Sequence, residues 1–135
     1  MEIKIAELAK EAASRAYVPY SHFPVGAAIV TKDGKVFQGC NIENASYGLA
    51  NCAERTALFK AVSEGNQEFS AIYIYGETDE AISPCGACRQ VLSEFCADDM
   101  PVYLLSKNLS VLETTVIELL PYHFAKKDLE SEQSK

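Results

Sequence analysis

With 135 residues, 48% of them hydrophobic and 23% charged, the chain can bury a core within one domain and is too apolar to be disordered. A formal net charge of -7 argues against nucleic acid as a partner. No apolar run is long enough to span a bilayer, and Met1-Glu2-Ile3-Lys4 does not lead into a secretory h-region.

Five cysteines without a secretory signal do not suggest a disulfide framework. The expectation is a cytoplasmic protein with no membrane partner, its thiols reduced or holding metal. Residues 2–17 read as an amphipathic helix: Ile5, Leu8, Ala9, Ala12 and Ala16 share one face, and Lys4, Glu7, Lys10, Glu11 and Arg15 the other. Pro19 ends it, and Tyr20 to Pro24 form an irregular loop.

Val25 to Thr31 and Val36 to Asn41 read as strands of a hairpin, joined through Asp33-Gly34, residues that tolerate positive φ. Asn41 to Gly48 is polar and short-side-chained, hence a loop. A helix is predicted from about Cys52 to Glu64-Gly65, where glycine suits the C-terminal cap. On it Glu54 falls in register with Ala57, Leu58, Ala61 and Val62. A carboxylate on an apolar helix face is costly unless something pairs with it.

Ala71 to Tyr75 is a continuous apolar run, as in a strand buried on both faces. Ile82-Ser83-Pro84 leads into a helix from about Cys85 to Ala97, with Cys88, Val91, Leu92 and Phe95 inward and Arg89, Gln90, Ser93 and Glu94 outward. Pro101 to Leu105 and Ser110 to Thr114 are further strands. Thr115-Val116-Ile117-Glu118 fits a capping box opening a short helix closed by Pro121. The charged tail from Lys126 is expected to fray. Two strand–helix–strand units imply crossovers and some parallel pairing. The predicted class is therefore α/β, a three-layer sandwich with a mixed sheet of about five strands covered by helices.

The chemistry gathers at Cys52-Ala53-Glu54-Arg55 and Pro84-Cys85-Gly86-Ala87-Cys88. Cys52 and Cys85 each open a helix, where unpaired amides and the helix dipole favour an anionic sulfur. Cys88 is one turn beyond Cys85. Three thiolates suffice to hold zinc with its fourth position open, which separates catalytic from structural zinc. Glu54 is placed to move protons at that position, and Arg55 to balance the excess negative charge of three thiolates. Two plainer alternatives stand beside this reading. C-x-x-C at a helix start also suits a redox pair, but that needs neither a third thiol nor a buried acid. A structural zinc module needs a fourth protein ligand, and Cys40 and Cys96 read as small core residues. His22 and His123 are far apart and show no zinc-ligand spacing.

Cys-x-Glu followed by Pro-Cys-x-x-Cys is the three-cysteine form of the zinc deaminase signature. The chain also resembles the short, homotetrameric zinc-dependent cytidine deaminases over nearly its whole length. The matching blocks are Tyr20 to Ala28, Gly39 to Ala45, Cys52 to Ala57, Ser83 to Gln90, and Leu119-Leu120-Pro121. The resemblance implies one catalytic domain over 1–135 and hydrolytic deamination of cytidine and deoxycytidine, in pyrimidine salvage. It implies one Zn2+ per subunit on Cys52, Cys85 and Cys88, with Glu54 as proton shuttle. It further implies Asn41 and Glu43 on the ribose and Phe23 against the nucleoside. Ala45, Tyr47 and Phe124 would reach neighbouring subunits' ligands in a homotetramer with shared sites. Tyr122-His123 departs from the small residues common there. Glu43 would repel a phosphate at close range, so a neutral nucleoside fits better than a nucleotide. Deamination of another aminopyrimidine or nucleoside-like compound is the alternative.

Overall fold

The computed structural model describes residues 1–82 and 84–133; Ser83 of the matched block and Ser134-Lys135 of the tail lie outside the described residues. Five strands form one sheet in the order β2-β1-β3-β4-β5, with continuous buried runs in its central strands β1 and β3. Its strands are β1 (Val25–Thr31), β2 (Val36–Cys40), β3 (Phe69–Gly76), β4 (Pro101–Leu105) and β5 (Val111–Thr115). β3 and β4 pair in parallel and the other pairs are antiparallel, so the sheet is mixed as expected.

Helices cover both faces. On one, Ile5, Ala6, Ala9 and Ala13 of α1 (Ile3–Ala13) meet Ala28, Tyr73, Tyr75 and Leu105. On the other, α2 (Ala53–Ser63) and α3 (Gly86–Phe95) supply Ala57, Leu58, Ala61 and Leu92 against Ala27, Ile29, Ile72, Ile74, Val102 and Leu104. The small side chains of α1 and α2 let the helix backbones approach closely. Gly26 and Gly39 complete that approach from the sheet: a Cβ on Gly26 would lie 1.9 Å from the Ala9 carbonyl oxygen, and one on Gly39 2.4 Å from the Ala57 nitrogen.

Two expectations need correction here. α1 ends at Ala13 rather than near residue 17. The Tyr17 amide donates to the Asn41 carbonyl at 3.0 Å and its own carbonyl accepts from the Glu43 amide at 2.9 Å, drawing the segment out of the helix. The tail from Lys126 carries a helix, α5 (Lys126–Gln133). Its first turn is held by the Asp128 carboxylate, which accepts from the Ala125 amide at 2.8 Å. Cys40 is only partly buried at the end of β2 and lies outside the core, whereas Cys96 is buried.

The hairpin turn has positive φ at Gly34 alone, not at Asp33. Thr31 takes up the difference: its hydroxyl accepts the Lys35 amide at 2.9 Å. The short helix α4 (Val116–Leu119) is capped by Thr115, whose hydroxyl accepts the Glu118 amide and donates to the Glu118 carboxylate. Among the described residues, no helix is long and apolar enough to cross a membrane.

The pairs Gly26–Cys40 and Val25–Gly76 set the start of β1 beside the ends of β2 and β3. The segments following β2 and β3 lead to the N-termini of α2 and α3, so both cysteine-bearing helix starts come to this end of the sheet. Ends of strands feeding helices are where open α/β sheets place their sites.

Candidate metal centre and active site

Cys52 is the N-cap of α2 and Cys85 the N-cap of α3, each with extended backbone (φ -76°, ψ 157° and φ -68°, ψ 165°). Their sulfurs are therefore carried at helix N-termini, where the dipole favours negative charge. The Cys85 sulfur accepts the Cys88 amide at 3.4 Å. Cys52 Sγ lies 3.5 Å from Cys85 Sγ, which lies 3.2 Å from Cys88 Sγ, and all three sulfurs fall within 4.8 Å of one another. Among the described residues no other cysteine, histidine or carboxylate joins the cluster. A structural zinc site would need a fourth protein ligand.

The electrostatics are asymmetric. Hydrogen bonding from Cys88, with further help from Arg55 and Cys85, lowers the Cys52 thiol to about 5 despite partial burial. Cys88, the donor in that pairing, is pushed far up, with burial and the Glu54 carboxylate adding to the effect. Arg55 Nη2 is 3.5 Å from Cys52 Sγ, and its Nε is buried without a partner among the described residues. Glu54 is 4% exposed on the face of α2 that carries Ala57, Leu58 and Ala61. Burial, then the negative charge on Cys52, raises its carboxyl above the ordinary value of 4.5; its own amide, Cys88 and Arg55 oppose the rise.

Beside the sulfurs is a cleft of about 340 Å³ lined by Phe23, Val25, Asn41, Cys52, Ala53, Glu54, Ile82 and Cys85. A larger groove of about 540 Å³ lies at the other end of β1, between the hairpin turn and the α2–β3 loop. It has no thiol or buried acid, so the chemistry belongs to the smaller cleft. The loop from Asn41 is stapled on two sides: Tyr17 bonds Asn41 and Glu43, and Ile42 exchanges two 2.9 Å backbone bonds with Asn51. This clamp fixes Asn41 at the cleft. Its side-chain oxygen accepts the Val25 amide and its side-chain nitrogen donates to the Phe23 carbonyl, both at 2.9 Å.

Of the sequence-predicted residues, the structure thus gathers Phe23, Asn41, Cys52, Glu54 and Cys85 around one cavity, with Cys88 and Arg55 behind it. Glu43 stands on the adjoining loop, bonded to Tyr20 and Ser21. Ala45, Tyr47 and Phe124 do not line the cleft. Tyr47, in a single 3₁₀ turn, is 85% exposed, Phe124 is 59% exposed, and Ala45 faces solvent.

A family model described as the cytidine and deoxycytidylate deaminase zinc-binding region matches residues 1–104. The chain belongs to this deaminase family. Cytidine deaminase from Sporosarcina psychrophila is 55% identical over 129 residues, covering 96% of this chain and 94% of that protein. The corresponding enzyme from Halalkalibacterium halodurans is also 55% identical, covering 96% of each. Among solved structures, a cytidine deaminase from Burkholderia pseudomallei superposes with a TM-score of 0.89 at 53% identity, covering 92% of this chain and 99% of that one.

The donor set of this deaminase fits the metal that its family model names. Sulfurs bound tetrahedrally at about 2.3 Å from one zinc stand about 3.8 Å apart, near the spacing seen among these three. The Arg55 guanidinium stands beside them, its Nη2 3.5 Å from Cys52 Sγ, and three thiolates on a divalent ion leave one negative charge. One zinc ion per subunit on Cys52, Cys85 and Cys88 is what the site accommodates.

Sequence reasoning missed several supports of the deaminase cleft. Arg89, expected to face outward, is half-buried: Nε donates to the Pro84 carbonyl at 3.0 Å and Nη1 to the Leu119 carbonyl at 2.8 Å, tying the turn before α3 to α4. The Asn51 side-chain nitrogen donates to the Thr56 hydroxyl at 3.1 Å, which donates to the Cys52 carbonyl, steadying the α2 N-terminus. Thr56 lies four residues after Cys52, a spacing that favours such a bond; Arg89 gives no local signal of its long-range partners.

Proposed function

We propose that this chain catalyses the hydrolytic deamination of cytidine and deoxycytidine to uridine and deoxyuridine, releasing ammonia, as a step of pyrimidine salvage. The observation that carries the proposal is a buried carboxyl, Glu54, in the same cleft wall as a three-sulfur metal site with no fourth protein ligand among the described residues. Zinc held by Cys52, Cys85 and Cys88 supplies Lewis acidity and brings the pKa of water to about 7.

Glu54 does the proton work. Its raised pKa brings it nearer the working pH, where a group both accepts and releases protons well. It takes a proton from the attacking water and delivers it to the ring nitrogen as the water oxygen adds to C4. It then carries the second proton to the amine, and the C–N bond breaks to release ammonia. One water enters and one ammonia leaves, with no net proton consumed.

Phe23 packs against the nucleoside, and Asn41 and Glu43 hold its sugar. The Glu43 charge disfavours a phosphate, so nucleosides rather than nucleotides are the substrates. The chain acts as a single catalytic domain of a cytoplasmic enzyme. Exposed Ala45, Tyr47 and Phe124 are suited to completing neighbouring clefts in a homotetramer with shared sites. Ultraviolet absorbance of purified protein with cytidine, CMP, cytosine and adenosine tests the proposal. Conversion of cytidine alone is expected. Conversion of CMP but not cytidine would overturn the nucleoside assignment, and turnover of cytosine or adenosine in place of cytidine would move the enzyme to another amine substrate.

A further inference from the structure

The Glu43 carboxylate is held by Tyr20 and Ser21, two residues given no individual role by the sequence pattern. Oε1 accepts two successive amides, Tyr20 and Ser21, each at 3.1 Å. Oε2 accepts the Ser21 hydroxyl, and the Ser21 oxygen in turn accepts the Phe23 amide at 3.1 Å. Two successive N–H groups on one oxygen form an anion-binding concavity. The next residue, His22, has φ 56°, a left-handed conformation uncommon outside glycine. The backbone therefore bears some strain where it wraps the carboxylate.

Counting acceptors shows what remains. A carboxylate has about four lone-pair directions, and these contacts use three, leaving one on Oε2. On Asn41, the side-chain oxygen is used by Val25 and one of two N–H groups by Phe23, leaving one donor. The Asn41 oxygen keeps a second lone pair as well, so together the side chains retain one donor and two acceptors, enough to satisfy a sugar hydroxyl in both its roles.

We propose that Ser21 is a positioning residue for substrate binding: by occupying one side of Oε2 it fixes the Glu43 carboxylate so that its last free acceptor serves one sugar hydroxyl. The proposal rests on the reading that Glu43 holds the sugar. The same contacts keep the Glu43 carboxyl below its ordinary value, the Ser21 hydroxyl first and the Ser21 and Tyr20 amides after it. Ser21 also links the carboxylate to Phe23, so one hydroxyl couples the sugar-binding acid to the aromatic residue in the cleft.

The test is a cycle between protein and substrate. KM and kcat are measured for cytidine and for analogues lacking the 2′, 3′ or 5′ hydroxyl, with the native enzyme and with Ser21→Ala, Ser21→Thr and Glu43→Ala. In the native enzyme, removal of one particular hydroxyl raises KM. In Ser21→Ala that penalty shrinks on the order of fivefold, the scale of one hydrogen bond, while kcat for cytidine changes less than twofold. Ser21→Thr, which keeps the hydroxyl, restores the penalty. Should Glu43→Ala remove the penalty while Ser21→Ala leaves it intact, the Ser21 proposal fails and the sugar-binding role of Glu43 survives. A penalty unchanged in Glu43→Ala overturns both. An equal rise in KM for every analogue in Ser21→Ala assigns the residue to loop structure alone and overturns the proposal.

Discussion

The Arg55 guanidinium reaches the sulfur of Cys52, with Nη2 and Sγ 3.5 Å apart, while Nε of the same side chain is buried without a hydrogen-bond partner among the described residues. An unpaired buried donor is costly, so its position calls for a reason beyond packing. Three thiolates on a divalent ion sum to one negative charge, and we propose that Arg55 offsets it.

Arg55→Ala is therefore expected to lower kcat/KM by about 10–100-fold, the range for groups that support metal ligands. Arg55→Lys should rescue it only in part, because an ammonium lacks the planar fork. In metal-free protein the loss of Arg55 should raise the Cys52 thiol from about 5, read as a rightward shift in the pH dependence of its alkylation. Unchanged kinetics together with unchanged alkylation would remove Arg55 from the metal site.

Glu54 gives opposite predictions for activity and stability. Glu54→Gln should retain zinc and lower kcat by at least about 10²-fold, the smaller end of general acid–base contributions. Burial raises the folded-state pKa of Glu54 above 4.5, so its contribution to stability is fully present below that value and is lost as pH rises through the folded pKa. Glutamine has no charge to bury. Metal-free Glu54→Gln should therefore be the more stable protein at neutral pH, the difference vanishing toward pH 4. Urea midpoints at several pH values measure this; a difference that grows on acidification would contradict the burial argument.

Removing the metal should expose the site to oxidation. With Cys52 lowered to about 5 it is a thiolate at neutral pH, and the neighbouring sulfurs lie within 3.5 Å along the chain Cys52–Cys85–Cys88. Peroxide converts one thiolate to a sulfenic acid with release of water, and a second thiol condenses with it to a disulfide and another water. Chelator-treated protein should lose activity and, after peroxide, yield a disulfide among these three cysteines that blocks recovery on zinc addition until a reductant is supplied. Zinc-loaded protein should resist. Peptide mapping by mass spectrometry decides between them.

Local pattern carried much of this fold. The apolar runs of β1 and β4 have the bounds read from sequence, and the register of Glu54 with Ala57, Leu58 and Ala61 placed it on the buried face. The cysteines cap their helices because N-terminal position is itself a local property. What escaped depends on partners far along the chain. α1 stops early because Tyr17 pairs with a loop more than twenty residues away, and the Ser21 contact with Glu43 spans a separation of 22. Arg89 is half-buried and bonded to the Leu119 carbonyl, a partner that no helical wheel reveals. The tail helix escaped for a local reason: Lys and Glu have good helix propensity and Asp128 holds the first turn, signals its charged composition masks.

Gly39 links this packing to the chemistry. A methyl group there would lie 2.4 Å from the Ala57 nitrogen and 2.6 Å from the Ala53 carbonyl oxygen, both backbone atoms that cannot rotate away. Relief requires α2 to shift from β2, and α2 carries Cys52 at its start and Glu54 in its first turn. Gly39→Ala should destabilise the fold by about 1–3 kcal/mol, the usual range for overpacking. It should also weaken zinc retention, because Cys85 and Cys88 ride on α3 and do not move with α2. Gly48→Ala, where nothing lies within 4 Å of the added methyl, is the control for glycine loss and should leave both properties near native. Thermal midpoints and zinc competition with a colorimetric chelator provide the comparison. If Gly39→Ala lost stability yet held zinc as tightly as the native protein, the α2 position would be decoupled from the metal centre.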